Sequence, residues 1–357
     1  FKRDADFPKI KSNGKCVSVA DWDKDGDQDV FIGSHARPGL YPQNDPSFFL
    51  ENKSGKLVNV SESICSATLG MVTDAKWGDL TGNNVNELVL VGEWMSPTVL
   101  EWKNGAFESS SLNQSLKNTI GWWWTVEVAD VNGDGVQDLV AGNIGANNKF
   151  HPSNDRPLRI YGNDFDGNGT NDVVLSKMYK DKFVPVRGRE CSSEQMPFVK
   201  EKFKNFESFS QAKIEEVLGA AMNDALFYEA REFRSGVFIN SGFGDFTFDP
   251  FDNFAQLSAI KAIKVEDFSG DGVVDILLAG NHYGAEVETA RYDASNGLYL
   301  HGEGSGKFRS RRFLESGFYA PGNVVDLELV NNTGIGKPIL FVISNNGPIM
   351  SYVAIAK

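Results

Sequence analysis

Asp21-Trp22-Asp23-Lys24-Asp25-Gly26-Asp27-Gln28-Asp29 runs straight into Val30-Phe31-Ile32-Gly33. Acidic side chains alternate with other residues, a glycine stands sixth, and an apolar run follows. Alternate oxygens on a tight loop suit a hard cation. Ca²⁺ takes about 6–8 oxygen ligands and needs a glycine where its loop turns sharply. The apolar run reads as a buried strand, not as the helix that leaves an EF-hand, and the twelfth position is Ile32 rather than a bidentate Glu. The stretch predicts a strand–loop–strand cation site.

The loop recurs. Further copies start at Asp79, Asp130, Asp164 and Asp267, followed by Leu88-Val89-Leu90-Val91, Leu139-Val140-Ala141, Val173-Val174-Leu175 and Ile276-Leu277-Leu278. A sixth, near Asp326, has lost the pattern and keeps only Ile339-Leu340-Phe341-Val342 after a longer loop. Units of about 40–60 residues with four short strands each describe propeller blades. In the first unit Val17–Ala20 enters the loop, Val30–Ile32 leaves it, and Ser47–Leu50 and Lys56–Val60 follow as outer strands.

The prediction is an all-β fold, a six- or seven-bladed β-propeller of four-stranded blades, with residues 1–357 forming a single domain. A seventh blade would draw strands from residues 1–10 and 351–356. Between the fourth and fifth loops, at about 192–229, the texture turns helical. Met196, Val199, Phe203 and Phe206, then Ile214, Val217, Leu218 and Ala221, keep helical spacing. This predicts a helical insertion, packed on the propeller edge or serving as a lid.

Composition narrows the function. Phe (26) and Gly (36) are plentiful in the 357 residues, in keeping with short strands and tight turns. The net charge of −13 argues against nucleic acid as a partner, since such binders carry a basic patch. Much of the acid lies in the repeated loops, where cations would neutralise it. Cys16, Cys65 and Cys191 allow at most one disulfide, and their spacing does not choose it. No apolar run reaches the ~18 residues of a membrane span. No GxSxG, HExxH or P-loop is present.

The five loops share D-x-[DNST]-x-[DN]-x-x-x-[DE] before an apolar strand. In this they resemble the FG-GAP/VCBS repeats of integrin-like β-propellers. Gly280-Asn281-His282-Tyr283-Gly284 and the later Arg291-Tyr292-Asp293-Ala294-Ser295-Asn296-Gly297-Leu298 look like secreted bacterial VCBS proteins that also carry ASPIC/UnbV modules. The resemblance implies an extracytoplasmic protein, part of a longer multidomain chain. It also implies Ca²⁺ held at the first, third, fifth and ninth loop positions, with the seventh giving a carbonyl. Carried over, the ligands are Asp21, Asp23, Asp25, Asp27 and Asp29 in loop one. Loop three gives Asp130, Asn132, Asp134, Val136 and Asp138, and loop four Asp164, Asp166, Asn168, Thr170 and Asp172. Loop five gives Asp267, Ser269, Asp271, Val273 and Asp275. Loop two keeps two carboxylates, Asp79 and Glu87, and reads as a turn held by side-chain hydrogen bonds.

If each loop joins the first and second strands of its unit, the segments leaving the second strands meet at the opposite end. Those segments differ between units and are polar and aromatic, as recognition loops on a shared scaffold are. They supply His35, Arg37, Trp94, Asn143, His282 and Tyr283, and the Trp122-Trp123-Trp124 run approaches the same end. Strand alternation would turn Trp123 away from Trp122 and Trp124. The expected function is a calcium-stabilised binding or adhesion module recognising a protein or glycan there. The alternative is a polysaccharide lyase or glycoside hydrolase using His35, His282, Tyr283 or nearby acids at that end; a lyase requires His282, Tyr283 and Arg37 to converge in a deep cleft. A purely architectural spacer would have no pocket.

Overall fold

The computed structural model describes residues 6–285, 289–331 and 337–353. The chain is all-β, with antiparallel sheets and few, short helices. Sheet one is Gly14–Ala20, Asp29–Ser34, Phe48–Asn52 and Leu57–Asn59. Sheet two is Met71–Gly78, Glu87–Met95, Thr98–Lys103 and Ala106–Ser109, with Gly121–Trp122 pairing beside its second strand. Sheet three is Thr125–Ala129, Asp138–Gly142, Gly236–Asn240 and Phe246–Pro250. Sheet four is Ala262–Glu266, Asp275–Ala279, Leu298–Gly304 and Lys307–Arg311. Sheet five is Val324–Val330, Ile339–Ser344 and Met350–Val353.

These five sheets stand in a row, first strand beside first strand. Each gap is filled by an apolar cluster. Phe31 and Phe49 meet Leu88 and Leu100 between sheets one and two. Val89, Trp123, Leu139 and Phe238 fill the next gap, Val140, Val237, Ile276 and Leu278 the third, and Leu277, Val324 and Leu340 the last. The second strands of sheets two, three and four are thus covered on both faces, which explains their unbroken apolar runs. Leu88, Val89, Leu90 and Val91 are all fully buried. Polar bonds tie the first strands together: the Lys76 ammonium lies 2.9 Å from Glu127 Oε1, and Thr125 Oγ1 donates to Asp74 Oδ2 at 2.9 Å. A Cβ on Gly142 would lie 2.6 Å from the Ile260 carbonyl, so only glycine permits this approach of sheets three and four.

The fourth loop is not in the row. Sheet three pairs Asp138–Gly142 directly with Gly236–Asn240, so everything between them is an insertion. It contains a sheet of its own, ordered Lys182–Pro185, Asp172–Tyr179, Leu158–Asn163 and Leu226–Ala230. The helical stretch belongs to this unit. It forms four short helices, Arg189–Gln195, Phe198–Lys202, Phe206–Gln211 and Ile214–Leu218, and a 3₁₀ turn at Gly219–Asp224. Met196, Val199, Ile214 and Val217 pack on Tyr161 and Val174, but Phe206 is exposed and shares no face with them. Pro197, at the junction of the first two helices, starts the second, so the 3,4,3 spacing spans separate segments.

Of the strands expected from the termini, residues 1–5 and 354–357 lie outside the described residues. Residues 6–13 form no strand, and Met350–Val353 is the third strand of sheet five.

Candidate functional site

Each repeated loop joins the first two strands of its sheet, and one carboxylate organises it. The ninth acid is buried: Asp29, Asp138 and Asp275 are at most 1% exposed. One oxygen of Asp138 accepts from Val131 N–H within the loop at 3.0 Å and the other from Asn240 N–H of the third strand at 2.7 Å. Asp29 does the same with Trp22 and Asn52, and Asp275 with Ser269 and Gly302. Burial pushes the carboxyls of Asp29 and Asp138 up to about 6. The first acid accepts from the turning backbone, as Asp130 does from Gly133 and Gly135.

The loops differ in how well they suit a cation. In loop one, oxygens of Asp21, Asp23 and Asp29 lie within 4.8 Å of one another, and in loop four those of Asp164, Asp166 and Asp172 do. Asp21 Oδ1 and Asp27 Oδ1 are buried without a hydrogen-bond partner, which is what oxygens awaiting a cation look like. Loop three turns Asn132 Nδ2 onto Asp134 Oδ2 at 2.9 Å. In loop five the His301 ring sets Nδ1 3.0 Å from Asp275 Oδ1 and Nε2 3.9 Å from Asp271 Oδ2, so it crowds two of that loop's acids. Loop two spends both Glu87 oxygens on Leu80 N–H and the Thr81 hydroxyl, as a hydrogen-bonded turn should.

At the opposite end lies a cleft of ≈ 270 Å³. Trp122 and Trp124 form one wall, His282 and Tyr292 from sheet four's exit another, and Phe150, Ile144 and Leu175 come from the insertion. Tyr41 and Glu93 complete the lining. Trp124 and His282 pack at 5.0 Å, and His282 stacks on Tyr292 at 6.2 Å. Trp123 points the other way and is wholly buried between sheets two and three, as alternation requires.

A polar chain runs behind the aromatics. Trp94 Nε1 donates to Tyr41 Oη at 2.6 Å, and Tyr41 donates to Glu93 Oε2 at 3.0 Å. His35 Nε2 lies 3.5 Å from the same oxygen. Burial would raise the Glu93 carboxyl, but His35 and the Tyr41 hydroxyl outweigh it and hold it below its usual range. Glu93 is therefore an anion at neutral pH. His282 is the reverse case. Burial, then the Lys261 ammonium 3.2 Å from Nδ1, brings the imidazole down to about 4, so it faces the cleft neutral. Lys261 itself, buried and near Lys15, falls to about 8.

Among the candidates from the sequence, Trp122, Trp124 and His282 line the cleft, and His35 reaches it through Glu93. Trp94 is only 4% exposed and acts beneath the wall. Asn143 is fully buried, and its side chain receives Trp122 N–H and donates to the Glu232 carbonyl, so it shapes the backbone and does not line the cleft. Arg37 is exposed and Tyr283 packs under Arg291 at 5.2 Å, neither on the cleft wall. Of His282, Tyr283 and Arg37, only His282 lines the cleft. Sequence reading passed over Glu93, Tyr41 and Tyr292. Glu93 stands in the exit stretch Gly92-Glu93-Trp94-Met95, and a lone acid beside a tryptophan was its only signal.

Residues 79–141 match the FG-GAP-like repeat. That repeat covers the second loop, the tryptophan run and the third loop. No curated protein matches the chain. Among solved structures, the Agrocybe aegerita lectin described for specific recognition of non-reducing terminal N-acetylglucosamine is similar over 96% of this chain and 81% of its own, at 15% identity and a TM-score of 0.33. The V. cholerae biofilm matrix protein Bap1 is similar over 92% and 74%, at 10% identity and a TM-score of 0.29. Sqt1 from Chaetomium thermophilum follows over 98% and 83%, at 11% identity and a TM-score of 0.33. Likenesses this slight decide neither fold detail nor function.

Proposed function

We propose that the chain is an extracytoplasmic glycan-binding module, its five sheets successive blades of a β-propeller and its ligand seated in the Trp122/Trp124 cleft. The observation that carries this reading is the cleft itself. Two tryptophans, a tyrosine and a neutral histidine present flat apolar faces to a space about the size of one sugar ring, as saccharide sites do. The lyase alternative draws less support, since of its three groups His282 alone lines the cleft.

The propeller reading draws support from the row and from its ends. Val17 and Val19 of sheet one are 65% and 50% exposed, and Val325 and Val330 of sheet five are also exposed, whereas first strands inside the row are covered on both sides. Such end faces suit further blades, so that the whole would count six or seven. Calcium in this reading is structural. Loops one and four are its best sites, loop three is a third, and loop five competes with His301. When bound, the ion would neutralise carboxylates that otherwise repel one another; Asp21, Asp23, Asp29 and their counterparts Asp164, Asp166 and Asp172 would hold it.

The test is a glycan array read with the intact protein and with Trp122→Ala and Trp124→Ala, each checked for folding by its melting curve. Binding that both variants lose supports the cleft as the site. Binding that survives in both places the ligand elsewhere, and no binding by the intact protein removes the glycan reading.

A further inference from the structure

Among the described residues that line the cleft, Glu93 is the one carboxylate, and no lysine or arginine is among them. Glu93 lines the cleft with its side chain 13% exposed, accepts a hydrogen bond from the Tyr41 hydroxyl at 3.0 Å and lies 3.5 Å from His35 Nε2; among the described residues no lysine or arginine pairs with it. Around it stand the faces of Trp122, Trp124 and Tyr292. The lysines nearby are engaged elsewhere. Lys261 sits 4.8 Å from the Trp124 centroid, held by His282 and Asn323, and does not line the cleft. Lys149 donates to Thr289 at 2.8 Å at the rim.

An anion removed from water is costly unless a cation meets it. Electron-rich ring faces attract the same kind of group, an ammonium within about 6 Å of a ring centroid. Carboxylate and rings therefore select in one direction. We infer that the sugar this cleft takes carries a free ammonium group, which docks between Glu93 and the Trp122/Trp124 faces. The inference rests on the glycan reading above and adds the charge of the ligand. An N-acetylated sugar of the same shape would offer Glu93 an amide without charge and would be the weaker ligand.

Two oligosaccharides of matched length separate the possibilities: a tetramer of glucosamine and a tetramer of N-acetylglucosamine. Both are titrated calorimetrically against the intact protein and against Glu93→Gln, which keeps an acceptor for Tyr41. The expected result is about tenfold tighter binding of the glucosamine tetramer by the intact protein. In Glu93→Gln that preference should shrink to about twofold or less. Equal or tighter binding of the acetylated tetramer overturns the inference and leaves the glycan reading standing. So does a preference for glucosamine that Glu93→Gln leaves whole. If neither tetramer binds, the glycan reading fails and the inference with it. Since the preference is measured first on the intact protein, a Glu93→Gln variant that fails to fold does not rescue the idea.

Discussion

Asp138 shows how much one buried acid can do. It joins Val131 of its own loop to Asn240 of a strand that arrives a hundred residues later, across the whole insertion. Asp138→Ala would leave two buried N–H groups unpaired, at about 1–3 kcal/mol each. We expect a loss of about 3 kcal/mol by urea denaturation in chelator, where these bonds act without any metal. Asp138→Asn keeps one acceptor and should lose about half as much. The acids of the loops were legible in the sequence by spacing alone. This bridging role was not, because its partner is a backbone N–H, which carries no side-chain signature. His282 gives a second test at this scale. Its folded pKa, about 4, lies below the ordinary value near 6.5. Between those pH values the unfolded chain takes up a proton that the folded one refuses. Its contribution is therefore present above pH 6.5 and lost as the pH falls toward 4, by about 2 kcal/mol once its partial exposure is discounted. The difference between intact protein and His282→Gln, measured as denaturant midpoint against pH, should close over that window.

The insertion is the element the sequence hid. Its hairpin, Leu158–Asn163 and Asp172–Tyr179, carries the same loop as the row sheets and reads as one more blade. Local pattern fixes the hairpin but not where it docks, and docking is decided by which strand pairs with Asp138–Gly142. The helices were visible by periodicity, yet their breaks at Pro197, Asn205 and Lys213 make four short pieces where two longer faces were expected. The insertion walls the cleft with Ile144, Phe150 and Leu175, so it belongs to recognition as well as to packing. Its ends meet: Gly145 N–H donates to the Phe233 carbonyl at 2.8 Å. Replacing residues 146–232 with a short Gly/Asn turn should leave a chain that melts in one cooperative step but no longer binds saccharide. A shortened chain that binds as well as the full one would take the insertion out of the site.

At the scale of the molecule the two ends of the sheets divide the work. One end carries loops of nearly uniform composition, built around acids and glycines; the other carries exits that share no sequence and converge on the aromatic cleft. The repeat period made the uniform end legible. The cleft was legible only in part, through Trp122, Trp124 and His282, because Glu93, Tyr41 and the insertion's apolar residues are brought there by packing between units far apart in sequence. Much of the −13 charge sits at the uniform end, and the proposal that calcium balances it can be tested without knowing any ligand. The measurement is the melting midpoint of the intact protein in 1 mM-range calcium and in excess chelator, repeated with Asp21→Asn. A site filled to about 100 times its Kd adds about 2.7 kcal/mol. The expected result is a midpoint higher in calcium by about 5 °C, with the gap reduced in Asp21→Asn. A midpoint identical in calcium and chelator would contradict it.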